Sequence, residues 1–371
     1  MITYNLLANV FNQLLTNPRS SPQEKSDQFD LKQEFEKQYG AKNYFLIPSS
    51  GSSKSNLESV KLIALHHDAV MNSAKRIVNH FNLDSSMAWG CVLPLFHVAG
   101  LGIHARGFVA RAKVHQKDWT TDGFTHWLSS NDIQLLSLVP TQIFDLVQKN
   151  MIAPKGLRHV FVGGAKLDSN LKEQILKLNW PIVETYGMTE TSSMIAIGDT
   201  KNMRLLPDIE VVVTDKRLKI KCNSLMTCSL QKIDGKVHFK TPENGWYHTE
   251  DFAEVSMQGQ NVVLKLLGRQ ADFIKINAEG VSLIHLRELL EENNKLALVA
   301  LVNQRSGFDI VLVHENVEHI KGVVAEFNKQ VKPFEMIRKV FCVDEIPKTD
   351  LNKIMYKKLE ETIKEMPFEK V

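Results

Sequence analysis

Six short segments of the chain carry residue types that can bind phosphate groups or activate a carboxylate. They are SSGSSK at 49–54, PLFHVAGL at 94–101, ETYGMTETSS at 184–193, WYHTEDFAEV at 246–255, LGRQADFIKI at 267–276 and IPKTDLNK at 346–353. In the first, small hydroxyl residues around a glycine allow backbone N–H groups to approach a phosphate, and Lys54 adds charge. It is not a Walker loop, because Pro48 stands where that motif requires glycine. A flexible serine-rich loop is the alternative interpretation.

Two segments in the middle of the chain combine the groups that a nucleotide site needs. Tyr186 offers a flat ring for stacking, and Gly187 permits a tight turn. Thr189 offers a hydroxyl, and the carboxylate of Glu190 can hold Mg²⁺. Asp251 follows a strand-like segment and can accept hydrogen bonds from two ribose hydroxyls. The alternative interpretations are a turn with a helix cap around Tyr186 and an ordinary turn residue at Asp251.

Four more side chains are candidates for binding or catalysis. His97 follows an apolar strand and can line a pocket, but a structural histidine fits there too. Arg106 has the guanidinium fork that suits a carboxylate, and the alternative is an ion pair on a helix surface. Arg269 can reach a phosphate or ribose oxygen. Lys353 lies just before the final helix, where a solvated charge is the alternative.

Composition excludes several classes of protein. A net charge of +3 over 371 residues, with no basic block, argues against nucleic-acid binding. The cysteines form no CxxC pair and have no histidine at metal-ligand spacing, so we expect neither zinc nor disulfides, and free thiols fit a cytoplasmic protein. The start, MITYNLLANVFNQLL, is typical of an amphipathic helix and not of a signal peptide. No apolar run reaches the ~18–20 residues that span a bilayer.

The order of strand-like and helical segments predicts the fold class. Apolar runs at 44–48, 135–140, 159–164 and 181–187 alternate with helical stretches, which predicts an α/β fold with a mostly parallel sheet. After about residue 205, short alternating strands predict a small antiparallel sheet or barrel. The last 100 or so residues predict a small α+β domain, with a boundary at Gly268–Asp272. Residues 17–32 are polar and contain two prolines, which predicts a surface loop that leads into a second helix.

Taken in order, these segments resemble the adenylate-forming superfamily of acyl-CoA ligases, peptide-synthetase adenylation domains and luciferases. SSGSSK matches the first five positions of the family's TSGTTGKPKG loop by type, and YGMTETSS is similar to YGxTE. YHTED is similar to YRTGD, LGRQADFIK to GRxDDxIK, and PKTDLNK to PKTxxGK. The resemblance covers nearly all of the chain after its first 48 residues. It implies ATP, Mg²⁺ and coenzyme A as reactants or cofactors, with a small-molecule carboxylic acid as substrate.

The resemblance also implies a role for each matching residue. The ATP phosphates would be held by Ser49, Ser50, Ser52, Ser53 and Lys54. The adenine site would be lined by Gly163, Gly164 and Ala165, with Tyr186 stacked on the base and Gly187 beside it. Thr189 would touch the α-phosphate, Glu190 the Mg²⁺ and Asp251 the ribose, with Arg269 close by. Lys353 would bridge the phosphate and the attacking carboxylate.

In this family the domain that carries the lysine moves as a lid. The resemblance therefore implies an AMP-binding domain over 1–268, shortened at its start, and a mobile α+β lid over 269–371. The sequence departs from the family pattern at several positions that touch nucleotide binding, lid motion and the second half-reaction. These are Lys54, Glu250, Ala271, Asn277, Ala278 and Asn352, and glycine is usual at most of them.

One branch of the superfamily is most similar. PLFHVAGLGIHARGFVARAKV, followed by LLSLVPTQIFDLV, resembles the o-succinylbenzoate–CoA ligases of menaquinone biosynthesis. That resemblance implies that His97 and Arg106 bind the substrate, since Arg106 matches a position that this branch uses. Two alternatives stay open: an adenylation enzyme for another acid, with transfer to coenzyme A or a carrier protein, and a nucleotide-binding relative without turnover. The sequence also leaves open a homo-oligomer.

Overall fold

The computed structural model describes residues 14–18, 20–40, 42–49, 60–199, 201–233, 235–269, 272–276, 279–290, 293, 295–303, 305–348 and 354–371. The chain divides into two compact units, residues 1–267 and residues 268–371. The predicted N-terminal helix lies outside the described residues, apart from Leu14 and Leu15. Those two residues run beside a strand, because Leu14 pairs with Leu46 in a parallel bridge.

The first unit contains most of the described helices and strands. Its helices are α1 (Pro22–Tyr39), α2 (His67–His80), α3 (Val98–Ala110), α4 (Phe124–Ser130), α5 (Pro140–Gln148) and α6 (Ser169–Lys177). Its strands are β1 (Tyr44–Ser49), β2 (Lys61–His66), β3 (Ala88–Cys91), β4 (Lys113–Gln116), β5 (Leu135–Leu138), β6 (His159–Val162), β7 (Ile182–Met188), β8 (Ser193–Asp199), β9 (Asn202–Leu205), β10 (Ile209–Thr214), β11 (Arg217–Cys222), β12 (Cys228–Ile233), β13 (Lys236–Lys240), β14 (Tyr247–Gln258) and β15 (Asn261–Arg269).

Half of the main sheet is parallel. Strands β4, β3, β5, β6 and β7 lie in that order, and each neighbouring pair is parallel. Helices α3, α4, α5 and α6 follow or connect these strands, as expected for strand–helix–strand units. The segments that follow the strands therefore gather at one edge of the sheet, where ligands of open α/β sheets bind.

The other half of the sheet is antiparallel. Strands β8, β9, β15, β14, β11 and β10 continue it beyond β7, so that within the described residues it holds eleven strands. Strands β12 and β13 instead belong to a second, four-stranded antiparallel sheet of order β1, β2, β12, β13. The predicted α/β class with antiparallel strands is confirmed. The alternating strands after residue 205 are divided between two sheets, because β12 pairs with the distant β2.

The predicted surface loop over residues 17–32 is wrong in its second half. Helix α1 begins at Pro22, because Ser21 and Glu24 form a capping box in which each side chain binds the other's backbone N–H. Proline at the first helical position costs no hydrogen bond. Leu31 and Phe35 are fully buried in a core cluster that includes residues of β1, β2 and β12. This packing holds the largely polar helix α1 against those strands.

One hydrophobic core cluster contains residues from the strands and helices that lie next to the candidate site. It contains Phe45 of β1, Ile63 of β2, Leu101 of α3 and Met226, with Tyr247 of β14 packed against it. Because β14 begins at this cluster, the core fixes the start of the strand that carries the WYHTED segment. The cluster thus links local packing to the position of functional side chains.

The second unit is a small α+β structure. Its helices are α7 (Leu283–Leu289), α8 (Ile320–Asn328) and α9 (Tyr356–Ile363), and its strands are β16 (Phe273–Ile276), β17 (Glu279–Ser282), β18 (Leu296–Asn303), β19 (Gly307–His314), β20 (Lys339–Cys342) and β21 (Glu369–Lys370). The order of the larger sheet is β18, β19, β20, β21, and β16 pairs with β17. Arg287 ties the unit together, because it pairs with Asp272 at 3.0 Å and covers the ring of Tyr356 at 3.6 Å.

None of the helices in the described part of the chain has the length and apolar character that a membrane-spanning helix needs.

Candidate active site

Two glycine-containing turns lie side by side at the edge where the parallel strands end. Strand β6 pairs with β7 in parallel, with Val162 opposite Glu184, so Gly163 and Gly164 come next to the last residues of β7. Gly164 has a φ of +85°, which favours glycine, and both Gly164 and Ala165 are exposed. This arrangement brings the predicted adenine-site residues beside Tyr186.

Gly187 is required by a close approach of two chain segments. A Cβ at this position would overlap the carbonyl oxygen of Ser193, where β7 and β8 pair. The register shifts between Tyr186 and Gly187, which is typical of a β-bulge that re-aims a side chain. Glycine thus permits the sharp return of the chain after β7.

A 3-10 turn over Thr189–Thr191 follows β7 and carries two of the predicted residues, Thr189 and Glu190. The buried hydroxyl of Thr191 holds the turn, since it donates to the Ser193 carbonyl oxygen at 2.8 Å. The next residues, Ser192 and Ser193, have φ values of +59° and +147°. Such backbone strain in non-glycine residues is retained only where surrounding bonds enforce it, and it is concentrated at functional sites.

Glu190 is held by two contacts. Its carboxylate oxygen Oε1 lies 3.1 Å from Nζ of Lys61, and the Glu190 side chain is only 12% exposed. Its carbonyl oxygen accepts a hydrogen bond of 2.8 Å from the N–H of Met226. Burial raises the pKa of the nearby Tyr247 hydroxyl, and the Glu190 carboxylate raises it further. The carboxylate is thus fixed and its charge is balanced by a lysine.

Asp251 and Tyr186 are joined directly. The Tyr186 hydroxyl donates a hydrogen bond to Oδ2 of Asp251 at 2.6 Å. The Asp251 backbone N–H donates to the hydroxyl of Thr249, which is buried and donates in turn to the carbonyl oxygen of Leu218. The two separately predicted motifs therefore meet in one place. Glu250, which adds a negative charge to this segment, is exposed.

Arg106 is buried inside the protein, so the alternative of an ion pair on a helix surface is wrong. Its side chain donates a 3.3 Å hydrogen bond to the hydroxyl of Ser193 and lies over the ring of Trp89 at 4.9 Å. Burial lowers the pKa of Arg106 to about 10, because a charged guanidinium is poorly solvated there. Among the described residues its Nε has no hydrogen-bond partner. Gly102 of the same helix packs close to it, since a Cβ there would lie 3.4 Å from the guanidinium and 3.5 Å from the Ser193 hydroxyl.

His97 lies at the other end of the same helix. It is the N-cap residue of α3, is half-buried, and stands against the ring of Phe96 at 4.7 Å. Arg106 follows nine residues later, which is a rise of about 13 Å along a helix. The two predicted substrate-binding residues are therefore far apart along α3, and their joint role stays a prediction.

Several predicted residues lie outside the described residues or are described only in their backbone. The first group is Ser50, Ser52, Ser53, Lys54, Ala271, Asn277, Ala278, Asn352 and Lys353. Ser49 is the last residue of β1 and Arg269 the last of β15, and their side chains are not described. Lys348 and Ile354, which flank the Lys353 segment, pair in an antiparallel bridge.

A model of the AMP-binding enzyme family matches residues 18–243, which is more than half of the chain. The chain belongs to the AMP-binding enzyme family. A 2-succinylbenzoate–CoA ligase of Staphylococcus aureus (strain JH9) is 24% identical over 296 residues, which are 74% of this chain and 59% of that relative. The chain thus spans less than two thirds of the length of this relative.

Solved structures of family members share the fold. The o-succinylbenzoate CoA synthetase of Bacillus subtilis, in complex with an acyl-adenylate intermediate, is 18% identical, with a TM-score of 0.72 over 85% of this chain and 68% of that one. The corresponding enzyme of Escherichia coli is 21% identical, with a TM-score of 0.65 over 86% of this chain and 69% of that one.

The structure adds side chains to the candidate site that sequence reasoning missed. Lys61 pairs with Glu190, Ser193 accepts a hydrogen bond from Arg106, and Tyr247 lies near the Glu190 carboxylate, which raises the Tyr247 pKa after the larger effect of burial. No local sequence pattern indicated a role for Lys61 or Ser193, because their hydrogen-bond partners Glu190 and Arg106 lie 129 and 87 residues away in the chain. For Tyr247 a signal existed: it precedes Asp251 by four residues, as Tyr186 precedes Glu190.

The candidate site contains a carboxylate that can hold Mg²⁺. Within the described residues, no group of three His, Cys, Asp or Glu side chains comes together. Glu190 supplies a fixed carboxylate oxygen. Because Mg²⁺ is commonly held by one or two carboxylates together with substrate phosphates, one fixed carboxylate fits an ion that arrives with ATP.

Proposed function

We propose that this protein is an ATP-dependent acid–CoA ligase that forms an acyl-adenylate and then a thioester. The observation that carries the proposal is the arrangement of Tyr186, Glu190 and Asp251 in the first unit: Tyr186 bonds Asp251, and Glu190 lies on the turn that directly follows the strand of Tyr186. Those are a base-stacking ring, a magnesium-binding carboxylate and a ribose-binding carboxylate in the roles that the family assigns them. Membership in the AMP-binding family supports the same chemistry.

Adenylate formation brings two anions together, so the site must balance negative charge. The carboxylate of the acid attacks the α-phosphorus of ATP, and pyrophosphate leaves with the electron pair of the broken P–O bond. Mg²⁺ bound with ATP supplies positive charge to the phosphates. In the proposal, Glu190 binds that ion, Thr189 donates to the α-phosphate, and Lys353 bridges the phosphate and the attacking carboxylate. Donors fixed in advance stabilise charge as it develops in the transition state.

We propose o-succinylbenzoate as the acid, with o-succinylbenzoyl-CoA as the product and menaquinone biosynthesis as the pathway. This substrate has two carboxylates, of which one is activated and the other needs a partner. Arg106 suits that partner role, because it is a buried cation whose Nε has no partner among the described residues. The relatives named above act on this acid, which supports the assignment.

The second half-reaction replaces AMP by the thiol of coenzyme A. In the proposal residues 269–371 act as a lid that moves between the two steps and carries Lys353. The compact second unit, which begins at Gly268, supports a separate lid. Gly268 has a φ of +120°, a backbone conformation that suits glycine at a boundary between units.

The direct test is thioester formation from a panel of acids. Purified protein is incubated with ATP, Mg²⁺, coenzyme A and one acid at a time, and products are identified by mass spectrometry. We expect o-succinylbenzoyl-CoA and AMP, lost in the Glu190→Ala variant. Thioesters only from other aryl or fatty acids would contradict the substrate assignment. Acyl-adenylate without thioester would favour transfer to a carrier protein, and nucleotide binding without turnover would favour a non-catalytic relative.

A further inference from the structure

The backbone at Ser193 is strained, and the Ser193 hydroxyl contacts Arg106. Ser193 is the first residue of β8, and its φ of +147° lies in a region that favours glycine. The hydroxyl accepts a 3.3 Å hydrogen bond from Nη1 of Arg106, a residue 87 positions earlier in the chain. Glycine at this position would relieve the backbone but would lose the acceptor. Because backbone strain is concentrated at functional sites, this outlier points to a role for the serine side chain.

Hydrogen bonds around Ser193 hold it in this conformation. The hydroxyl of the buried Ser192 donates to the Ser224 carbonyl oxygen at 2.8 Å. The Thr191 hydroxyl donates to the Ser193 carbonyl oxygen, also at 2.8 Å. Arg76 of helix α2 donates in turn to the Ser224 hydroxyl at 3.1 Å. The position of the Ser193 hydroxyl is therefore set by buried groups from several parts of the first unit.

The Arg106 guanidinium is held on one face and at one nitrogen. It lies over the ring of Trp89 at 4.9 Å, and Nη1 donates to Ser193. Its other two nitrogens, Nε and Nη2, form an edge whose two parallel N–H bonds match the two oxygens of a carboxylate. Arg106 is only 2% exposed, and its Nε has no hydrogen-bond partner among the described residues. Since a buried donor without a partner is costly, this edge suits an anionic ligand.

We propose that the Ser193 hydroxyl is a positioning group for Arg106. By holding Nη1, it fixes the rotation of the guanidinium over Trp89 and keeps the Nε–Nη2 edge ready for the second carboxylate of a dicarboxylic acid. The inference rests on the proposed function, in which Arg106 binds that carboxylate of o-succinylbenzoate. Ser193 contacts the arginine and not the reacting atoms, so its effect is on binding of the acid and not on the chemical step.

The test compares two substitutions that remove the same hydroxyl. Ser193→Ala loses the acceptor and keeps the strained backbone, whereas Ser193→Gly loses the acceptor and suits the φ of +147°. We expect the KM for o-succinylbenzoate to rise about tenfold in both variants, as for the loss of one hydrogen bond to a charged group. The kcat and the KM for ATP should match the wild-type values within error. The melting temperature of Ser193→Gly should be no lower than that of Ser193→Ala.

Two controls separate positioning from general damage. In an Arg106→Met background, Ser193→Ala should cause no further rise in the KM for the acid, because the group that Ser193 positions is already absent. Ser129→Ala removes the hydroxyl of a serine in helix α4 that donates to the Thr125 carbonyl oxygen at 3.1 Å, and should leave both KM values unchanged. The double variant keeps the test decisive if Ser193→Ala alone is less stable, since general damage would add to the effect of Arg106→Met.

The outcomes distinguish this inference from the proposed function. If the wild-type protein forms o-succinylbenzoyl-CoA and both Ser193 variants keep its KM for the acid, the positioning role is wrong and the proposed function stands. A rise in that KM in Ser193→Ala that is absent from Ser193→Gly would also overturn the role, because the backbone and not the hydroxyl would be responsible. Equal rises in the KM for ATP and for the acid would overturn it too, since they indicate a structural effect. A wild-type protein that does not turn over this acid would overturn both the substrate assignment and this inference.

Discussion

The Tyr186 hydroxyl donates a 2.6 Å hydrogen bond to the carboxylate of Asp251, a residue 65 positions further along the chain. This bond joins the strand that ends in the YGMTE segment to the strand that starts in the WYHTED segment. In the proposed nucleotide site, the residue that stacks on adenine thus orients the residue that binds ribose. Hydrogen bonds to charged groups are among the stronger ones in proteins, so the pair is expected to matter for both stability and binding.

Removal of the Tyr186 hydroxyl tests this relationship. Tyr186→Phe keeps the ring for stacking but leaves Asp251 without that donor. We expect the KM for ATP to rise ~10-fold and the free energy of unfolding to fall by about 1–2 kcal/mol. Steady-state kinetics and urea titration measure the two effects. The control is Tyr39→Phe, which removes the hydroxyl of a tyrosine at the end of helix α1. An unchanged KM together with an unchanged stability would contradict the role of the bond.

Loss of the Lys61 charge should destabilise the largely buried carboxylate of Glu190. In Lys61→Met the largely buried carboxylate loses its neighbouring cation, and we expect the free energy of unfolding to fall by about 1–3 kcal/mol. Lys61→Arg should retain most of the wild-type free energy of unfolding, because it keeps a positive charge beside Glu190. The matched control is Lys232→Met, because Lys232 pairs with Asp30 at 3.2 Å in a more exposed setting and should change stability by less than ~1 kcal/mol. Equal effects in the two methionine variants, measured by urea unfolding, would count against a special role for Lys61.

Arg106 should be more important for substrate binding than for stability. Its guanidinium donates one hydrogen bond to Ser193, whereas the buried Arg76 donates to Pro207, Asn223 and Ser224. We expect Arg106→Met to be as stable as wild type or slightly more stable, since an apolar side chain avoids the cost of a buried charge. Its KM for o-succinylbenzoate should rise ~10–100-fold.

Arg76→Met is the matched control for that experiment. It should lose about 2–4 kcal/mol of stability, because it leaves three acceptors without their donor. Thermal or urea unfolding and acid-dependent kinetics measure both variants. A large loss of stability in Arg106→Met with an unchanged KM for the acid would show that Arg106 is structural.

Histidine burial should make the fold sensitive to mild acid. Burial lowers the pKa of His104, whose Nε2 lies 3.0 Å from Oε1 of Gln116. The unfolded chain therefore binds a proton more readily than the folded one below about pH 6.5. Stability is full above that pH and falls as the pH drops through 6.5 towards the lowered value, by at most about 1.4 kcal/mol per pH unit for one proton.

Substitution of His104 measures its share of this sensitivity. His104→Gln can keep the bond to Gln116 but cannot titrate, so its free energy of unfolding should fall less between pH 7 and pH 5.5. The exposed His126, changed to Gln, is the control. A slope in His104→Gln that equals the wild-type slope would contradict the prediction.

Much of the fold was predictable because its signals are local. The run KLIALHHDAVMNSAKRIVNHF changes from strand-like to helical periodicity, and in the structure β2 ends at His66 and α2 begins at His67. Helix α1 was misplaced because its start depends on a reciprocal cap between Ser21 and Glu24, within a stretch whose polar composition suggested a loop.

The candidate site was only partly predictable, because some of its contacts join residues that are far apart in the chain. Tyr186, Glu190 and Asp251 stand in recognisable motifs, so their types and order were sufficient to select them as candidates. Lys61 acquires its role by lying beside a carboxylate 129 residues away, and no local pattern encodes that pairing. The burial of Arg106 likewise depends on packing against Trp89, which is on another element.

The most direct test of the proposed function is acid-dependent release of pyrophosphate. Wild-type protein and Lys353→Ala are assayed with ATP and Mg²⁺, with or without o-succinylbenzoate, and with or without coenzyme A. We expect release that requires the acid, becomes faster with coenzyme A, and falls ~100-fold or more in the variant, as for the loss of a donor at the transition state. Release that is the same without any acid, or no release with any acid of a broad panel, would contradict the account.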